Sequence, residues 1–161
     1  MDDWQRRVDA VWLAASERPE AETLAAIDAL VAERPEDEPH ALFEAAGARD
    51  FVGDEAAAEP LYRRALANGL PEPQRGQATI QLASTLRVLG RPEDALILLR
   101  ELLTGHPGHE LRDAVCAFAA LALFDAGLPA EAVREALGAL AAHLPLYRRA
   151  VTAYPAELIG Q

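Results

Sequence analysis

Apolar residues recur along the chain at helical spacing, as in Trp4, Val8, Val11 and Trp12 and again in Leu82, Leu86 and Leu89. Each set forms one face of a period of about 3.6 residues, and strand-like alternation is nowhere sustained. The runs are punctuated by glycine and proline at Arg18-Pro19, Arg34-Pro35, Gly53-Asp54, Gly69 to Pro73, Gly90-Arg91-Pro92, Gly105 to Gly108, Gly127-Leu128-Pro129 and Leu144-Pro145. These stops lie about one short helix apart, so the pattern predicts roughly nine helices and an all-α fold. Gly53, Gly90 and Gly127 each close an apolar run, where a left-handed C-terminal cap favours a residue without a Cβ. Pro92 and Pro129 then open the following helices, because the N–H that proline lacks has no intrahelical partner in a first turn. Glu93, Asp94 and Glu131 suit the positive end of the helix dipole.

The three capping glycines are spaced 37 residues apart, twice in succession. Five residues after each comes an alanine, Ala58, Ala95 and Ala132, and seven residues before each comes another, Ala46, Ala83 and Ala120. Small side chains at both sites let two helices cross closely while larger neighbours interdigitate. A constant interval in this range marks one motif laid down three times.

The motif resembles the tetratricopeptide repeat, a helical hairpin of about 34 residues. The middle copy matches best, with Leu82-Ala83, Leu86, Gly90, Ala95, Leu99, Leu102 and Pro107 at the family's positions and Thr79 replacing the first tryptophan. The first carries Leu42, Ala45-Ala46, Gly53, Ala58, Tyr62 and Ala65, with Arg49 where the family prefers tyrosine. The third has Cys116, Ala119-Ala120, Leu123, Gly127, Ala132, Ala136 and Ala139, an alanine-rich and tighter version. The resemblance implies a right-handed superhelical array of antiparallel helix pairs, an α-solenoid, in a single domain over residues 1–161. It divides the chain into a degenerate leading helix pair (1–37), repeats at 39–73, 76–108 and 110–144, and a C-terminal capping helix within 145–161. In that helix Leu146-Tyr147-Arg148-Arg149-Ala150-Val151 echoes Leu61-Tyr62-Arg63-Arg64-Ala65-Leu66. Within the family the chain is most similar to compact bacterial proteins made of little except these repeats. Its copies are longer than the family's by residues expected in the turns around Gly69 to Gln74 and Gly105 to Gly108.

The resemblance also implies where function lies, since the first helix of each pair lines a concave groove. Carried over residue by residue, the lining is His40, Phe43, Glu44, Gly47, Asp50 and Phe51 in the first copy. The second supplies Gln77, Ile80, Gln81, Ser84, Arg87 and Val88, and the third Ala114, Ala117, Phe118, Leu121, Phe124 and Asp125. The candidate partner-binding residues are His40, Phe43, Phe51, Ile80, Gln81, Arg87, Phe118, Leu121 and Phe124. This mostly apolar lining suits an amphipathic helix or extended peptide, unless the chain's own last helix covers Phe118, Leu121 and Phe124. The family's cationic clamp for C-terminal carboxylates is missing, because its positions carry Phe43, Gly47, Gln81, Ala114 and Phe118.

Composition narrows the classes further. Half of the chain is apolar (51%), mainly alanine and leucine, with 26 acidic against 15 basic residues and a formal charge of −11. Such a field repels phosphate backbones and anionic lipid, so neither nucleic acid nor membrane is an expected partner. A single cysteine, Cys116, excludes an internal disulfide and reads as a buried, inert thiol. With no signal-like or membrane-spanning stretch, the expectation is a cytoplasmic protein.

Catalytic signals are weak. His106-Pro107-Gly108-His109 lacks the ligand count of a metal site, and His40 and His143 read as helix-end residues. The run Glu33, Glu36, Asp37, Glu38 reads as solvated surface. The doublets Arg63-Arg64 and Arg148-Arg149 are expected late in helices, where they complement the dipole. No glycine loop cradles a phosphate, and no cofactor or metal is implied. The expectation is a non-enzymatic scaffold that binds another protein or peptide. The alternative is a structural homodimer whose apolar ridges pair between chains.

Overall fold

A computed structural model describes residues 2–105 and 110–159, and His106, Pro107 and His109 lie outside the described residues. Among these residues there are nine α-helices and no strand: α1 (Asp3–Leu13), α2 (Glu20–Val31), α3 (Pro39–Phe51), α4 (Glu55–Ala67), α5 (Gln74–Val88), α6 (Pro92–Gly105), α7 (Arg112–Asp125), α8 (Pro129–Ala141) and α9 (Arg148–Ile159). A 3-10 turn at Ala15–Glu17 precedes the Arg18-Pro19 hinge. The chain forms two compact units, residues 1–85 and 86–161, which divide within α5.

Glycine sets the turns as the pattern predicts. Gly53, Gly90 and Gly127 have φ of 77°, 76° and 78°, and a fourth cap forms at Gly69. After each, the next N–H reaches back five residues, as Asp54 to Arg49 O (2.9 Å) and Arg91 to Leu86 O (2.9 Å). This satisfies carbonyls that the helix end leaves without partners. Asp54 then caps α4 by accepting from Ala57 N, so the Gly-Asp pair ends one helix and starts the next. Proline opens α3, α6 and α8, and Pro60 sits on the exposed side of α4, which runs through it.

In the first unit the leading helices pack as a complete hairpin. Trp4 and Val8 of α1, Ile27 and Leu30 of α2, and Ala41 and Ala48 of α3 share one core, with Val11, Trp12, Leu24 and Val31 against it. Trp4 Nε1 donates to the Leu30 carbonyl at 2.8 Å, and the Arg34 guanidinium lies 4.7 Å over its ring while pairing with Asp2. The acidic run before α3 lies on the surface, where Glu33 pairs with Arg7 and Asp37 with Arg64 at 2.7 Å. Arg49, at the family's tyrosine position, pairs with Asp28 and donates to the Ala45 carbonyl. Ala46, Ala58 and Ala83 are buried, as are Ala95, Ala120 and Ala132 in the second unit.

In the second unit α6 packs on α7, α7 on α8 and α8 on α9. Leu96 and Leu99 of α6 and Val115, Ala119 and Leu123 of α7 line a cavity of about 50 Å³. Two expectations for the tail need correction. Tyr62 is buried in the middle of α4, whereas Tyr147 precedes α9, has φ of 66° and stands 79% exposed. Arg148 and Arg149 open α9 rather than ending it. Arg148 instead donates to the carbonyls of Ala142 and Leu144 just past α8, because the turn brings it against that helix end. No helix of the described residues is long and apolar enough to cross a membrane.

Candidate interaction surfaces

On the first unit, the α3 residues carried over from the repeat pattern meet polar partners from α1, α4 and α5. Glu44 is buried and accepts from Trp12 Nε1 at 2.7 Å. The Trp12 ring meets Phe51 edge-on at 5.8 Å and lies over Gly47, where an added Cβ would make ordinary contact at 3.6 Å. Asp50 accepts from Thr85 Oγ1 (3.0 Å), and the buried Tyr62 hydroxyl donates to Gln81 Oε1 at 2.9 Å with Asp50 Oδ2 at 3.2 Å. Phe43 and Ile80 are buried, Phe43 beside the Tyr62 ring at 6.3 Å. Of the candidates in this unit, Phe51 keeps an exposed edge, while His40 and Gln81 are half-buried. Trp12, Tyr62 and Thr85 complete the network, and sequence periodicity marks them only as core.

Burial raises the pKa of Glu44, against hydrogen bonds from Trp12 and Gln5, with Asp9 adding to the rise. Asp50 is raised in the same way against hydrogen bonds from Thr85 and Tyr62, and burial beside Asp50 raises Tyr62. A carboxyl whose folded pKa lies above its unfolded value binds protons more tightly when folded, so its ionisation destabilises the fold as pH rises. Glu44→Gln is therefore expected to stabilise the protein at neutral and mildly alkaline pH, since the amide oxygen still accepts from Trp12. That gain should vanish as pH falls below the ordinary carboxylate range, as checked by urea midpoints across pH.

Beside this surface a cleft of about 520 Å³ is lined by Asp2, Trp4, Gln5, Arg34, Glu38, His40 and Gln74. His40 Nδ1 lies 3.0 Å from Glu38 Oε1, a contact of the kind that proton transfer uses. Glu38 Oε2, however, accepts from Ala41 N at 2.7 Å as the cap of α3, and among the described residues the lining carries no nucleophilic side chain. Against the upward push of partial burial, hydrogen bonds from the Ala41 N–H and His40 hold Glu38 below the usual carboxylate range. The pair serves the helix start.

On the second unit, Leu121 and Phe124 of α7 are 49% and 65% exposed, and with exposed Ala117 they form an i, i+4, i+7 stripe. The last helix leaves both open, because α9 packs on α8. Phe118 is half-buried, and Arg87 pairs with Asp125 at 2.7 Å beside the stripe. Cys116 is buried, and desolvation together with Glu135 pushes its thiol up to about 11, which disfavours the reactive thiolate. His143 meets Asp113 at 2.7 Å on the exposed surface. Among the described residues no group of three or more His, Cys, Asp or Glu is placed to hold a metal ion.

Helical hairpins repeated along a chain and joined by glycine-capped turns define a helical-repeat protein, one that offers surfaces formed by the faces of its helices. A family model described as Tetratrico peptide repeat matches residues 39–158, and the chain belongs to that family. No curated protein and no solved structure matches it. Repeats of this family are generally non-enzymatic and typically bind other proteins or peptides.

Proposed function

We propose that this protein is a non-enzymatic scaffold that holds a helix or extended peptide of a partner protein against the first helices of its repeats. The observation that carries this reading is the open apolar stripe of Leu121 and Phe124 on α7, a helix whose Val115, Cys116 and Leu123 are buried. Exposed aromatic and aliphatic anchors supply most of the binding energy at such surfaces. Phe51 with Trp12 offers a second aromatic contact on the first unit. On the second unit Phe118 flanks the anchors and Arg87 provides polar rim, and on the first unit the half-buried Gln81 and His40 are the polar contacts. Phe43 and Ile80 act from beneath by supporting the helices rather than by direct contact. The acidic balance argues against nucleic acid or an anionic membrane as partner, and a single buried thiol suits the cytoplasm.

Leu121→Asp with Phe124→Asp is expected to weaken partner capture about 30-fold or more, as for loss of interface hot spots, while circular dichroism stays unchanged because both side chains are exposed. Co-purification that persists at full strength would remove α7 from the binding surface. A second reading, in which two copies pair, is favoured by a different observation. Tyr147 and Tyr154 stand out at the end of the second unit, Tyr154 being 64% exposed.

A further inference from the structure

We propose that α9 is a self-recognition helix, pairing antiparallel with α9 of a second copy across a two-fold axis at Ala153. This deepens the second reading above and rests on it. Arg149, Thr152, Ala153 and Glu157 are exposed, whereas Ala150 and Val151 are half-buried and Pro155 is buried. Their spacing of i, i+3, i+4 and i+8 makes one stripe along a helix. Since α9 packs on α8, that stripe faces away from the rest of the second unit.

The charges on the stripe complement themselves. Arg149 and Glu157 lie four residues on either side of Ala153, which places them about 6 Å along the axis in each direction. In an antiparallel pair centred on Ala153, Arg149 of each copy then stands opposite Glu157 of its partner, and one axis makes both pairs. Thr152 and Ala153 at the crossing are small enough to let the helices approach, and Tyr154 flanks them. A parallel pairing would set Arg149 against Arg149 and Glu157 against Glu157.

Charge over the whole chain also favours a second copy at this place. Residues 1–85 carry 17 acidic and 8 basic side chains, whereas residues 86–161 carry 9 and 7. Two acidic chains therefore meet with least repulsion through the second unit. Two tyrosines at α9, Tyr147 and Tyr154, are also exposed.

Light scattering on the full chain over micromolar concentrations tests the pairing. A dimer is expected, with its dissociation constant raised about tenfold or more by Arg149→Glu or by Glu157→Arg at low salt, since like charges then face each other twice. The double variant Arg149→Glu with Glu157→Arg should restore it. In oxidising buffer, Ala153→Cys should form a disulfide dimer, while Ala21→Cys on the exposed side of α2 should not. A monomeric mass at every concentration overturns the pairing of copies altogether. A dimer indifferent to both charge reversals overturns the role of α9 and leaves self-association through another face. Single losses without rescue by the double variant overturn the Arg149–Glu157 register.

Discussion

Trp4→Ala is expected to destabilise the first unit by about 3–5 kcal/mol, the range for truncating a large buried aromatic side chain. Trp4 is 5% exposed and sits where α1, α2 and the start of α3 meet. The substitution removes the hydrogen bond to the Leu30 carbonyl and the seat of the Arg34 cation. It also opens a cavity that the neighbours cannot fill, since Val8 and Ile27 are held by the same core. Leu13→Ala on the same helix is the matched control. Leu13 is 86% exposed, so its loss should change stability by no more than about 0.5 kcal/mol. Urea unfolding followed by circular dichroism separates the two, and a shift of equal size in both variants would mean that α1 is not docked on α2 and α3.

Tyr62→Ala should have a similar effect, about 3–5 kcal/mol, for a related reason. The Tyr62 ring is buried beside Phe43, and its hydroxyl serves Gln81 and Asp50 together. Tyr62→Phe isolates the polar part of that effect. It keeps the ring but leaves Gln81 Oε1 and Asp50 without the donor, for an expected loss of about 1–3 kcal/mol. Equal stability of the wild type and Tyr62→Phe in urea would show that the hydroxyl contributes nothing net.

The residues that local chemistry governs were legible from the chain alone. Gly53, Gly90 and Gly127 mark helix ends because the left-handed cap is a property of a few consecutive residues. Pro92 and Pro129 mark starts for the same kind of reason. The leading hairpin was legible in outline from Trp4, Val8, Val11 and Trp12. The echo between the Tyr62 and Tyr147 segments misled, because nearly identical short strings took different places: one lies within a helix and the other straddles a turn that Pro145 and the end of α8 impose.

Helical identity, the 37-residue rhythm and the capped turns were thus determined by the sequence itself, since each depends on neighbours within a turn or two. Only the tertiary structure decided which of the candidate groove residues face outward. Phe43 and Ile80 are enclosed while Leu121 and Phe124 stand open, although all four follow the same periodicity. It likewise joined Trp12 to Glu44 and Thr85 to Asp50 across 32 and 35 residues of chain. Exposure and pairing of this kind are set by the helix that comes to lie alongside, and periodicity within one helix carries no record of that neighbour.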